Sequence, residues 1–153
     1  MAGTDSHRAL IDQLRHLFAF VIEKLPPGSA TLDERLWSDK WSDHWAISLI
    51  PSEPHAASVG VHVDRSELVD FSVGSCTWEL PYESRDPKNF DQQALIGQTS
   101  VMLDAVVSGR CEEKHSLLGT TVTIYLPDGP TRVTTMFTDV SLFSRVVRYQ
   151  PYA

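Results

Sequence analysis

Four runs of alternating residues between Trp45 and Leu80 limit what this chain can fold into. In "WAISLI", "SVGVHV", "LVDFSV" and "CTWEL" apolar residues recur at every second position. They are Trp45, Ile47 and Leu49; Val59, Val61 and Val63; Val69, Phe71 and Val73; and Cys76, Trp78 and Leu80. Successive strand side chains point to opposite faces, so each run offers one apolar and one polar face. Such strands are stable together as an antiparallel sheet covered on one side. The breaks "PSEPHAA", "DRSE" and "GS" have turn composition and hairpin length, which predicts a four-strand meander. His62, Asp70 and Glu79 then belong to its uncovered face.

The cover comes from helices. Leu10, Leu14, Leu17, Phe18, Val21 and Leu25 follow one another in steps of three and four, the stripe of an amphipathic helix. Thr4, Asp5 and Ser6 offer caps at its start, and "PPG" at 26–28 ends it because proline lacks the N–H donor. Ile11 and Phe20 widen the apolar arc beyond one stripe, which points to a helix covered on two sides and to a homodimer. A second helix is predicted from about Asn89 to Ser108, with Phe90, Ala94, Val101 and Ala105 on one face, Leu95, Met102 and Val106 beside it, and Gly109 at its end. Gly97 inside it costs about 1 kcal/mol against alanine, which suggests a close approach to the sheet. Beyond, Val122, Ile124 and Leu126 and then Val133, Thr135 and Phe137 alternate around "PDGP", a hairpin signal. "VSLFSRVVRYQ" reads as a last strand. The expectation is a single α+β domain spanning residues 1–153: a twisted antiparallel sheet, meander plus C-terminal hairpin, with two helices packed on one face.

The stretch "WSDKWSDHW", residues 37–45, holds three of the four tryptophans. Just before it, Thr31 and Glu34 fit a helix capping box, yet the same letters also alternate as a strand, and local sequence does not choose between them. Trp45 belongs to the first meander strand and its core. Trp37 and Trp41 are expected at the edge or partly exposed, as contact anchors for a protein partner.

Chemistry-bearing patterns are sparse. There is no phosphate-binding glycine loop of either common kind. "VGSCTW" leads into a strand, whereas a nucleophile elbow leads into a helix, so Cys76 takes a core address. Cys76 and Cys111 are expected as buried free thiols. The six histidines are scattered, with no paired metal spacing. Asp39, Asp43 and His44, or His62 and Asp64, are the best local groups, and both read as solvated faces, so no metal or cofactor is expected. If the uncovered sheet face is concave, His62, Asp70 and Glu79 could hold a small molecule or do acid–base work there; otherwise no catalytic residue is assigned.

A net charge of −7 and a pI near 5.2 repel phosphate backbones, so nucleic acid is not an expected partner and a basic protein is favoured. No run of about 18 apolar residues exists to cross a membrane. The start, "MAGTDSHRALIDQL", has no basic segment leading into an apolar one, from which a cytoplasmic location is expected.

"TWELP", then "AVVSGR", then a Pro-Asp-Gly hairpin resembles small uncharacterised bacterial α+β proteins, over about residues 45–137. The element order is also similar to that of type III secretion chaperones, and the size and charge to those of toxin-immunity proteins. The first resemblance carries no assigned function; the other two imply a non-catalytic partner of another protein, and the alternative is a small-molecule-binding domain or small enzyme using the outer sheet face.

Overall fold

A computed structural model describes residues 2–64, 69–74, 76–80, 91–116, 119–134 and 145–153. The chain is an α+β fold in the order α1 (Ala2–Lys24), β1 (Ala30–Ser38), β2 (Asp43–Pro51), β3 (Val59–Asp64), β4 (Val69–Val73), β5 (Cys76–Leu80), α2 (Gln92–Val107), β6 (Cys111–Ser116), β7 (Gly119–Leu126), β8 (Gly129–Thr134) and β9 (Arg145–Arg148). All pairings among these strands are antiparallel. The strands divide between two sheets, a five-stranded meander β1-β2-β3-β4-β5 and a four-stranded sheet ordered β8-β7-β6-β9.

The meander follows the alternation. Trp45, Ile47 and Leu49 of β2, the three valines of β3, and Val69, Phe71 and Val73 of β4 are all buried. Over this face lies α1, with Leu10, Leu14 and Phe18 buried and Ile11, Leu17, Val21, Ile22 and Leu25 partly so. Phe20 stays outside, the Lys24 ammonium 3.9 Å above its ring. The hairpin expected around "PDGP" forms, β7 pairing with β8 and Val122 standing opposite Val133. The side chains of Cys76, Trp78, Leu80 and Val133, together with residues 135–144, lie outside the described residues, so the core address of β5 and the expected alternation through Thr135 and Phe137 are not described.

The sheet also starts one strand earlier than the alternation indicates. "TLDERLW" is strand β1, paired along its length with β2, Leu32 opposite Leu49 and Leu36 opposite Trp45. The capping-box reading fails because Glu34 has a better use. Its Oε1 accepts from Arg15 of α1 at 2.9 and 2.7 Å and from the Trp45 indole N–H at 2.7 Å. An indole buried to 2% exposure needs that acceptor.

Helix α2 begins at Asp91, whose carboxylate caps the N–H groups of Gln93 and Ala94. Gly109, at φ 73°, ends it in the left-handed conformation, as expected. Its buried face runs through Leu95, Thr99, Met102, Leu103, Ala105 and Val106, so Leu95, Met102, Ala105 and Val106 are buried as expected while Ala94 and Val101 of the expected stripe turn outward. Phe90 lies outside the described residues. Gly97 also corrects the expectation of a close approach, because a Cβ there would meet nothing within 4 Å.

Central strand β6 was not anticipated. "CEEKHS" places Glu113 at a buried position between Val122 and Val147 of its neighbours, so hydrophobic alternation gives no signal. The Tyr149 hydroxyl donates to Glu113, and both lie where a Cβ on Gly74 would intrude. The last residues tie the layers together. Tyr152 is buried, donates its hydroxyl to Ala57 O at 2.6 Å and its N–H to Val107 O at 2.9 Å, and so spans the meander and the end of α2.

Two outcomes test this packing. Gly97→Ala should raise stability by about 0.5–1 kcal/mol in urea unfolding, since the site is open and helical; a loss would show a contact there. Burial pushes the Cys111 thiol up to about 12, so native protein should label at Cys111 only on unfolding, and Cys111→Ala should cost about 1–3 kcal/mol of stability.

Candidate functional site

The uncovered face of the meander carries a chain of four titratable side chains. It starts in the turn between β1 and β2, where Asp39 bends its carboxylate back over its own backbone. Asp39 Oδ1 accepts the N–H groups of Trp41 and Ser42, each at 2.7 Å, while Asp39 N–H donates to Ser42 O at 2.9 Å. This is the side-chain-mimicked turn that aspartate favours. The other oxygen, Oδ2, lies 2.9 Å from His44 Nε2. His44 Nδ1 lies 3.0 Å from His62 Nε2, and His62 Nδ1 lies 3.1 Å from Asp70 Oδ2.

Sheet register builds this line. His62 faces Asp70 directly across β3 and β4, and Ala46 faces His62 across β2 and β3, so His44 is its diagonal neighbour. Diagonal neighbours on one face lie within reach of long or aromatic side chains. The imidazole planes are only 20° apart with centroids at 5.1 Å. Together with the 3.0 Å nitrogen contact, that is an edge-to-edge meeting and not a face-to-face stack. Trp37, opposite His44 in register, lies nearly parallel to both rings, 5.2 and 5.4 Å away. The indole covers the seam between them.

All four ring nitrogens are engaged. The arrangement ties the hairpin turn to β2, β3 and β4.

The two local groups considered from sequence are thus merged and re-sorted. His44 and Asp39 join His62 and Asp70, whereas Asp43 accepts from the Ser38 hydroxyl at 2.6 Å and Asp64 stands opposite His44. Glu79 lies opposite Asp70 in register, and its side chain is outside the described residues. Among the described residues no group of three or more His, Cys, Asp or Glu side chains is arranged to hold a metal ion. Sequence reading placed His62 and Asp70 on this face but missed their link to His44 and Asp39. The only signal was a polar residue at matching positions of adjacent strands, and register is needed to use it.

Beside the relay the same face is concave. A groove of about 460 Å³ is lined by Asp33, Arg35, Trp37, Ser48, Ile50 and Ser72, among others. Arg35 Nε donates to Asp33 Oδ2 at 2.8 Å at its rim. Gly60 keeps its floor open to the Ser48 hydroxyl, which a Cβ at residue 60 would meet at 2.3 Å.

At the far end of the hairpin Trp41 is 81% exposed and Trp37 43% exposed, against 2% for Trp45. The division of the three rings into one core and two surface residues is as the sequence indicates. Comparison with protein-family models, curated proteins and solved structures finds no match to this chain.

The turn makes its own pH prediction. The N–H groups of Trp41 and Ser42, and then His44, hold the Asp39 carboxyl below its ordinary value of 3.8. A lowered folded value stabilises the turn above the ordinary value and withdraws that support as pH falls through the folded one. In an NMR titration the Trp41 and Ser42 amide shifts should move together with a midpoint below 3.8; a midpoint above it would break the assignment.

Proposed function

We propose that this chain is a protein-binding domain that offers the β1–β2 hairpin tip to its partner. One observation carries the reading: Trp41 is 81% exposed on a turn whose neighbouring polar groups are already satisfied internally. Large aromatic side chains dominate binding energy when a partner buries them. A tip already held in place loses little conformational freedom on binding. Trp37, pinned over the two imidazoles, extends the same rim. Only Lys40 softens the apolar surface, its ammonium 4.4 Å over the Trp41 ring. The net charge of −7 favours a basic partner surface. A partner protein of the immunity or secretion-chaperone kind fits these features and the resemblance noted from sequence.

The groove favours a second reading. Its hydroxyls, the Asp33–Arg35 pair and the Trp37 wall would suit a small polar ligand on the outer face. Such a ligand would shield Trp37 and leave Trp41 untouched.

Two tryptophan truncations test the leading reading. Trp41→Ala should leave the melting midpoint within about 2 °C, since surface changes are usually worth under 0.5 kcal/mol, while weakening binding to a partner purified on the native chain about 30-fold, the size of a hot-spot loss. Trp45→Ala should cost about 3–5 kcal/mol of stability. Unchanged partner affinity for Trp41→Ala, or equal destabilisation by both, would sink the recognition role of the tip.

A further inference from the structure

Strand β1 lies at the edge of the meander, hydrogen-bonded to β2 and, among the described residues, to no strand on its other side. The direction of its free groups can be read from its ends. Asp39 N–H bonds Ser42 O at one end, and Ser52 N–H bonds Ser29 O at the other. Backbone groups alternate along an antiparallel ladder. Asp39 and Ser29 turn theirs to β2, so Ala30, Leu32, Glu34, Leu36 and Ser38 turn theirs outward. The strand is 9 residues long, and Leu36 is 78% and Leu32 38% exposed although each stands opposite a buried residue of β2. A long edge with free donors, free acceptors and apolar side chains is a template for another strand.

We propose that this edge pairs with β1 of a second copy of the chain, antiparallel about a two-fold axis through Glu34. In that register Leu32 meets the partner's Leu36, and Leu36 the partner's Leu32, on the helix side. On the outer side Asp33 meets the partner's Arg35 and Arg35 the partner's Asp33. Every outward backbone group of the stretch gains a bond, and the interface is isologous. The Glu34 carboxylates meet at the axis, each already held by its own Arg15. Neighbouring registers fail. Moving the axis to Asp33 sets two aspartates opposite each other and Leu32 against Glu34; moving it to Arg35 opposes two arginines and sets Leu36 against Glu34. Both shifts break the Leu32–Leu36 pairing and set a leucine against a carboxylate, and each adds a like-charge pair on the outer side; in the Glu34 register the one like-charge contact is at the axis, where each chain offsets it with its own Arg15. The dimer is independent of the hairpin-tip reading, since Trp41 lies beyond the paired stretch and stays exposed at each end.

Charge reversal tests both the edge and its register. Sedimentation equilibrium of the full chain should give a species of about twice 17.1 kDa. Asp33→Arg and Arg35→Asp should each raise the dissociation constant tenfold or more, with unchanged far-ultraviolet dichroism and melting showing intact folding. An equimolar mixture of the two variants should recover the dimer, because both opposed 33–35 pairs are again of opposite sign. A native chain of 17.1 kDa at 100 µM, single variants that dimerise as tightly as the native chain, or a mixture no tighter than its components would each overturn the proposal.

Discussion

The Glu34 carboxylate holds the first half of the molecule together. One of its oxygens takes two donors from Arg15 and one from the Trp45 indole. Those contacts join α1, β1 and β2 at a single point. Arg15 first, and Trp45 second, hold this carboxyl below the ordinary carboxylate range, so it stays ionised where its donors need it. Were the acceptor lost, the buried indole N–H would be left unpaired, a cost of about 1–3 kcal/mol. The same guanidinium lies 5.8 Å over the Trp45 ring and covers it from the helix side.

With Trp45 seated, the two faces of the meander can take opposite chemistry. The inner face is apolar from β2 to β4 and shares one core with the buried residues of α1 and α2. The outer face carries the aspartate–histidine relay and, beside it, the groove. The relay runs perpendicular to the strands, from the hairpin turn to β4, so it braces the sheet in the direction in which hairpins splay. The second sheet joins through the C-terminal residues, where Gln150 N–H bonds His55 O and Tyr152 reaches Ala57 and Val107.

The two surfaces proposed for recognition are what this bracing leaves over. The Asp39 carboxylate and the N–H groups of Trp41 and Ser42 are consumed internally, and the aromatic surface of Trp41 is displayed. Along β1 the outward backbone groups and Leu36 are displayed as well. These two surfaces adjoin but do not overlap. The proposed self-pairing edge and the proposed partner-binding tip would therefore not compete for one surface.

Much of the fold is legible in the letters, because period-two and period-3.6 patterns report which side of an element is apolar. Val59, Val61 and Val63, or Leu10, Leu14 and Phe18, need nothing more. The pattern falls silent where a buried position is polar: Glu113 hides β6, since its burial depends on Tyr149, a residue 36 positions away. It is ambiguous where one residue has two good uses: Glu34 suits a cap or a strand until Arg15 and Trp45 are in place. For the same reason sequence puts His62 and Asp70 on one face yet leaves them unconnected to the local group of Asp39 and His44. Side-chain type and alternation are local properties, whereas strand register, the partner of a buried donor and the free edge of a sheet arise only when distant segments meet.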